Sequence, residues 1–126
     1  MSCSEAKSQK GALAYHAGLA AEHRIEQDYS QRGYCVAQRR WRGKAGEIDL
    51  ILNDGNGLIF VEVKQSGSFD RAAEHVRPAQ MQRICRSAEE YLARMPNGSL
   101  TDMRFDVALV NGKGEHRIIE NAFGEG

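Results

Sequence analysis

Apolar and polar positions alternate along the chain with two periods, one typical of helices and one typical of strands. Small or apolar residues recur every three or four positions, as on one face of a helix, at Ala14, Gly18, Ala21, Ile25 and Tyr29. Gly33 fits the residue that ends such a helix. Three strands are predicted next, over residues 34–41, 47–52 and 58–64. In the second of them, Ile48, Leu50 and Leu52 are predicted to share one face.

The second half of the chain adds another helix and two more strands. Residues 65–76 are polar and predict a loop, and Pro78 suits the first turn of a helix. The buried stripe of that helix is predicted to comprise Met81, Ile84, Cys85, Ala88, Tyr91, Leu92 and Met95. Residues 103–109 alternate as a fourth strand, and a turn leads to a fifth at 116–120. The order of elements predicts an α/β fold with a mixed sheet.

Length and composition indicate one globular domain. The 126 residues are 41% hydrophobic and 27% charged, which predicts a single domain over residues 11–126 behind a flexible tail of residues 1–10. No apolar run exceeds four residues, far short of the roughly 20 that a membrane helix needs, and the N-terminus lacks a secretory signal. Cys35 and Cys85 are predicted to be small buried hydrophobic side chains in a reducing compartment, most simply the cytoplasm.

Charged residues interrupt the second and third strands at positions that share a face. A regular hairpin would place Asp49 opposite Glu62 and Glu47 opposite Lys64, with Cβ atoms about 4.5–5.5 Å apart. Two such carboxylates repel each other unless a proton or a cation lies between them, and oxygen ligands suit Mg²⁺. A lysine on the same face could position a metal-bound water for attack on phosphorus. The alternative is an amphipathic hairpin whose polar face contacts water, although residues 58–61 are apolar on both faces.

Two segments resemble a nuclease motif. Residues 46–51 (GEIDLI), a turn and residues 60–64 (FVEVK) are similar to the PD-(D/E)XK signature in the form used by the YraN-like family. These are predicted endonucleases of the Holliday-junction-resolvase-like branch of the restriction-endonuclease-like superfamily. Further similarities lie at Gly18, Glu22, Gly33-Tyr34, Arg104-Phe105-Asp106-Val107 and Asn121-Ala122-Phe123. The resemblance implies a central mixed sheet of about five strands flanked by helices, and Mg²⁺- or Mn²⁺-dependent hydrolysis of phosphodiester bonds in branched or structured DNA.

The resemblance also implies roles for individual residues. Asp49, Glu62, the backbone carbonyl of Val63 and Glu22 would hold the metal ion. Asp49, Glu62, Lys64 and Glu22 would form the catalytic set. Lys64 would orient the water or stabilise charge on the phosphate. Glu47 matches the motif without an assigned role, and an ion pair with Lys64 is the structural alternative. Residues 43–46, rich in glycine, would let a nucleic-acid backbone come close. A resolvase that cuts two strands symmetrically needs two active sites, which favours a homodimer.

Three positions depart from the family pattern. Gln80 and Ser66 stand where the family commonly has lysine and arginine, and Arg40 stands where asparagine is frequent. The loss of two basic groups keeps open an alternative, a catalytically weakened or inactive nuclease-fold module that binds nucleic acid or acts as an adaptor. The balance of 17 basic and 17 acidic residues also argues against a tight generic grip on phosphates.

A basic strip around one aromatic residue is a candidate nucleic-acid-binding surface. It comprises Arg39, Arg40, Trp41, Arg42 and Lys44, with no acidic residue among them. Cations that track a backbone beside an aromatic ring that stacks a base are typical of such surfaces. The alternative is a solvated edge strand whose charges prevent aggregation.

Overall fold

The first helix packs its apolar stripe on one face of a sheet. The computed structural model describes residues 17–123, with side chains from residue 20 onward. Helix α1 spans Ala17–Gln31 and buries Ala21, Ile25 and Tyr29, as the periodicity predicts. The predicted N-terminal tail and Ala14 lie outside the described residues.

Five strands form one mixed sheet in chain order. They are β1 (Cys35–Arg42), β2 (Glu47–Asn53), β3 (Gly57–Gln65), β4 (Asp102–Val110) and β5 (His116–Phe123). Neighbouring strands are antiparallel except β3 and β4, which are parallel. The parallel pair is possible because the chain crosses the opposite face of the sheet in between. The predicted α/β fold with a five-stranded mixed sheet flanked by helices is confirmed, and it is consistent with a restriction-endonuclease-like fold.

Two helices occupy the connection between β3 and β4. Helix α3 spans Pro78–Leu92 and buries an apolar stripe against the face of the sheet opposite α1. The prediction of a loop over residues 65–76 is wrong, because it contains helix α2 (Phe69–Glu74). The Ser68 side chain caps α2 by accepting a hydrogen bond from the backbone N–H of Arg71. A helix this short with one fully buried residue leaves no periodic pattern in the sequence.

The alternation of faces breaks at the same level in β1 and β2. Ile48 packs in the core beneath α3, whereas Leu50 and Leu52 pack beneath α1, so the prediction that all three share a face is wrong at Ile48. In β1, Arg40 has a left-handed φ of 51°. Such a conformation is strained for a residue with a side chain and reverses the alternation of the strand. It lies in register between the pairs Arg39–Leu50 and Trp41–Ile48, hence level with Asp49.

The two described cysteines differ from their predicted environment. Cys85 and Cys35 are half-buried rather than buried. Cys85 packs against the core cluster beneath α3. Among residues 17–123, no helix combines the length and the apolar character that a membrane span requires.

Candidate active site

A cavity of about 320 Å³ opens where β2 and β3 separate. Its lining combines three carboxylates, two arginines and an amide: Arg40, Gly46, Glu47, Asp49, Glu62, Gln80, Arg83 and Ile84. The strands β1 to β3 supply one wall and α3 supplies the other. The site thus brings together residues from both halves of the chain.

Asp49 lies where the ladder between β2 and β3 ends. The last pair in register is Leu50–Val61, and beyond it the Asp49 Oδ2 accepts a hydrogen bond of 2.8 Å from the Val63 N–H. The carboxylate therefore takes the place of a main-chain acceptor. The predicted ladder, with Asp49 directly opposite Glu62, does not continue to this level, although the charge of Asp49 still acts on Glu62.

Glu62 is a buried carboxylate with one unpartnered oxygen. It is only 5% exposed, its Oε2 accepts a hydrogen bond of 2.9 Å from Gln80 Nε2, and Oε1 has no partner in the described structure. Burial, followed by the charge of Asp49, raises the pKa of Glu62 to about 8, although Lys64 opposes the shift. The site is therefore short of positive charge around Glu62.

Glu22 brings a further carboxylate from α1. Its pKa is raised to about 7 by burial and then by the charge of Asp49, with Arg40 opposing the shift. Asp49 lies close enough to both Glu22 and Glu62 for its charge to act on each of them. The structure therefore brings together the three carboxylates that the sequence resemblance singled out, with Asp49 between the other two.

Lys64 and Gln80 form a bridge at the α3 side of the cavity. The Lys64 Nζ donates a hydrogen bond of 2.7 Å to Gln80 Oε1 and lies 3.3 Å from Glu62 Oε2. The prediction that Lys64 and Glu62 lie on the same face of the strand is confirmed. The register-based expectation of a pair between Glu47 and Lys64 is wrong, because the strands have already separated at that level.

Glu47 is instead paired with arginines of β1. Its carboxylate lies 3.6 Å from the guanidinium groups of both Arg40 and Arg42. Arg40 also approaches Glu22, with an Nε–Oε1 distance of 3.2 Å. Arg40 is thus a cation of the chain itself, placed between two of the acidic side chains.

The predicted basic strip does not form a continuous surface. Trp41 is only 9% exposed and packs its ring edge against Tyr91 in the core, so the prediction that it stacks on a nucleic-acid base is wrong. The side chain of Arg39 is bound by both carboxylate oxygens of Glu26 at 2.9 and 2.6 Å. Lys44 keeps an exposed side chain, while its backbone N–H binds Glu90. The strip differs from the prediction because Glu26 of α1 neutralises Arg39 and because the Trp41 ring is buried in the core.

The glycines of the turn between β1 and β2 serve two purposes. A Cβ at Gly43 would lie 2.7 Å from the Trp41 ring and 2.9 Å from the Glu90 carboxylate, so packing within the protein accounts for this glycine. Gly46 has a φ of +156° and open space around the position of a Cβ, and it lines the cavity. The expected close approach of a nucleic-acid backbone therefore stays a prediction for Gly46 and is unnecessary to explain Gly43.

The donor set fits a hard divalent cation better than a soft one. All of the candidate ligands are oxygens. A bound cation would lower the raised pKa values and would give Glu62 Oε1 a partner. Within the described residues, no three acidic, histidine or cysteine side chains already stand in positions to hold an ion. One oxygen each of Asp49, Glu62 and Glu22 accepts a hydrogen bond, from Val63, Gln80 and Arg40 respectively.

Arg83 is a cavity residue that the motif comparison did not include. It lies one helical turn after Gln80 on α3, and the i, i+3 spacing from Gln80 is the signal that places both on one face. Arg83 makes no ion pair or hydrogen bond with any other described residue. Ser66, in contrast, lies outside the cavity lining.

Comparison with known proteins places this architecture in a family. Residues 21–110 match the Uncharacterised protein family UPF0102. A UPF0102 protein of Ruegeria pomeroyi is 52% identical over 122 residues, covering 97% of this chain and 99% of the relative. A UPF0102 protein of Roseobacter denitrificans is 50% identical over 121 residues, covering 96% of this chain and 94% of the relative. The YraN-like resemblance is confirmed at this level: the chain belongs to the UPF0102 family.

Proposed function

We propose that the protein is a metal-dependent endonuclease of the PD-(D/E)XK superfamily that hydrolyses phosphodiester bonds in branched or structured DNA. The single observation that carries the proposal is that Asp49 and Glu62 line one cavity, with Glu22 close enough to feel the charge of Asp49 and Lys64 3.3 Å from Glu62. Buried acids that share a cleft and resist ionisation mark functional sites more often than structural ones. A DNA substrate would be met in the cytoplasm.

The residues divide between cation binding and catalysis. Asp49, Glu62, the Val63 carbonyl and Glu22 would hold Mg²⁺ or Mn²⁺, which when bound lowers the pKa of water and polarises the phosphate. Lys64, held 3.3 Å from Glu62, would orient the attacking water and stabilise negative charge on the phosphate. The buried setting strengthens these interactions relative to open water.

Arg83 is proposed to bind the phosphate backbone. The other cations at the site already have carboxylate partners, Arg40 with Glu22 and Glu47, and Lys64 with Glu62. Arg83 is exposed on the opposite wall and makes no ion pair with the described residues. A guanidinium without an ion pair at this site, in a chain of zero net charge, supports recognition of DNA shape over generic attraction. A homodimer would supply the two sites needed to cut both strands.

The proposal is tested by cleavage assays on branched, flapped and single-stranded DNA. Wild type is expected to cut at least one of these substrates with Mg²⁺ or Mn²⁺ and not in EDTA. Asp49→Ala is expected to lose roughly 100-fold or more of the activity, a loss typical of removing a group that acts on the transition state. Asp102→Ala, at an exposed carboxylate outside this cavity, is the matched control. Equal activity of wild type and Asp49→Ala would refute the assignment.

The second candidate function is a nuclease-fold module that binds nucleic acid or acts as an adaptor without cleaving DNA. It is favoured by the hydrogen bonds and ion pairs that already occupy Asp49, Glu62 and Glu22, and by the lack of three ligands in position for an ion among the described residues. This function predicts salt-sensitive DNA binding and no cleavage with Mg²⁺, Mn²⁺ or Co²⁺. Metal-dependent nicking that Asp49→Ala abolishes would exclude it.

A further inference from the structure

Gln80 connects the two groups that the proposed reaction uses most directly. Its side chain reaches from α3 to β3, where Oε1 accepts a hydrogen bond of 2.7 Å from Lys64 Nζ. Its Nε2 donates a hydrogen bond of 2.9 Å to Glu62 Oε2. All three side chains are shielded from bulk water, with Lys64 14% and Glu62 6% exposed. A half-buried amide is therefore bound at both ends by charged partners.

The chemistry of the amide fixes the arrangement. The Lys64 ammonium has only donors, so it must meet the amide oxygen, and the amide nitrogen then faces the carboxylate. Oε2 of Glu62 accepts the hydrogen bond from the amide nitrogen and also lies beside the Lys64 ammonium, whereas Oε1 has no hydrogen-bond partner in the described structure. The glutamine amide offers an acceptor oxygen and a donor nitrogen, so it can bind both groups at once.

We propose that Gln80 is a positioning residue, which holds Lys64 in place and presents Oε1 of Glu62 to the divalent cation. The role rests on the proposed function, and it acts through Lys64 and Glu62 rather than through contact with the phosphate. The role also explains why a neutral residue suits this position. A lysine here could donate a hydrogen bond to Glu62 but could not accept one from Lys64.

The first test measures how tightly Lys64 is held, and it needs neither metal nor DNA. Lysine acylation by acetic anhydride is followed by mass spectrometry, with the exposed Lys44 as the internal reference. Gln80→Met keeps the length of the side chain and removes both hydrogen bonds. It is expected to speed the modification of Lys64 about tenfold relative to Lys44, as the loss of a charge-assisted hydrogen bond implies. Gln82→Met, an exposed neighbour on the same helix, is expected to match wild type.

Gln80→Glu distinguishes the effect of the hydrogen bond to Lys64 from the effect of side-chain size at this position. The new carboxylate still accepts from Lys64. Together with Glu62 it favours the charged ammonium, so modification no faster than in wild type is expected. Equal Lys64 modification in wild type and Gln80→Met, or fast modification in Gln80→Glu, would overturn the proposal. Thermal unfolding of each variant confirms that the fold is retained.

The second test measures Mn²⁺ affinity and turnover. Gln80→Met is expected to weaken Mn²⁺ binding and lower kcat, each by roughly fivefold or more, with KM for DNA within about twofold. Gln82→Met should change neither quantity. If Gln80→Met binds Mn²⁺ like wild type, the presentation of Oε1 is refuted. If wild type binds no Mn²⁺ and cuts no DNA, the proposed function fails, while Lys64 modification still decides whether Gln80 holds the lysine.

Discussion

The Asp49 carboxylate accepts a hydrogen bond from the backbone N–H of Val63 at the point where β2 and β3 separate. The contact lets the strands diverge without leaving that main-chain donor unpaired. It also holds the acid next to Glu62, whose pKa it raises. One side chain thus terminates the strand pairing and creates the acidic site.

Two substitutions at Asp49 should therefore differ in stability. Asp49→Ala leaves the Val63 N–H without this acceptor, at a cost of about 1 kcal/mol or more. Asp49→Asn keeps an acceptor oxygen and removes the charge that opposes ionisation of Glu62. At pH 8 we expect Asp49→Asn to be the more stable of the two variants in urea unfolding, and at least as stable as wild type. The same free energy of unfolding for both variants would contradict this role of the hydrogen bond.

The raised pKa values of Glu22 and Glu62 predict a pH-dependent stability. Folding raises these values from 4.5 to about 7 and about 8, so the folded state binds more protons than the unfolded state between these limits. The stability that these groups contribute is fully present below about pH 4.5 and is lost as pH rises through 7 to 8. Glu62→Gln should remove part of this loss, on the order of 2 kcal/mol between pH 5 and 9.

The measurement is urea unfolding of wild type and Glu62→Gln at several pH values without metal. We expect the wild-type curve to fall more steeply between about pH 5 and pH 8. Saturating Mg²⁺ should restore stability at pH 8 because it binds only the folded site. Parallel pH profiles of the two proteins would show that Glu62 ionises normally.

Arg83 is expected to carry a phosphate contact that the next arginine on α3 does not. Arg83→Ala should weaken binding to branched DNA and reduce the slope of log K against log salt by about 1. Arg86→Ala is the matched control, an exposed arginine one turn further along the helix and outside the cavity lining. Binding measured by fluorescence anisotropy at several salt concentrations distinguishes the two. Identical slopes of log K against log salt for the two variants would show that Arg83 does not make this phosphate contact.

A second buried carboxylate, that of Asp106, has a structural role, because its oxygens all have hydrogen-bond partners. Asp106 is fully buried, and its oxygens accept hydrogen bonds from the Tyr29 hydroxyl at 2.6 Å, Arg104 Nε at 3.0 Å and the Asn121 N–H at 2.9 Å. Here the acceptors are satisfied, in contrast to Glu62 Oε1. Burial, together with the hydrogen bond to Asp106, holds the pKa of Tyr29 well above its usual range.

Removing this network should affect folding and spare cation binding. Asp106→Ala leaves a buried hydroxyl and a guanidinium without their acceptor and should cost about 3 kcal/mol or more, whereas Tyr29→Phe should cost about 1–2 kcal/mol. Urea unfolding gives both values. Mn²⁺ affinity of the folded Tyr29→Phe protein should equal that of wild type. A loss of affinity would show that the Asp106 network is coupled to the acidic site.

The elements of the fold were predictable where their patterns are local. The stripe from Ala21 to Tyr29 repeats with the helical period, and residues 103–109 alternate with the period of a strand. The charges of Asp49, Glu62 and Lys64 stand out for the same reason, because they interrupt apolar strands. Their grouping follows from strand geometry and motif resemblance, and the structure brings all three to one place.

The remaining features depend on contacts between distant segments. The left-handed φ of Arg40 moves Trp41 into the core, and nothing in the alternation of β1 indicates it. The carboxylate of Glu26 on α1 neutralises Arg39 across the sheet face. Gln80 lies on α3, in the crossover that joins the parallel strands β3 and β4. Its hydrogen bond to Lys64 forms only when this helix packs on the sheet, so the spacing of the two residues in the sequence does not predict it.

The proposed function requires Glu22, Asp49 and Glu62 to be ligands of one divalent cation. Titration of Mn²⁺ followed by electron paramagnetic resonance tests this most directly, because it requires no DNA. We predict one specific site per chain in wild type, at least roughly tenfold weaker binding in Asp49→Asn and in Glu62→Gln, and wild-type binding in Glu74→Gln, an exposed control. Absence of a specific site in wild type, or equal affinity in all four proteins, would contradict the shared cation site.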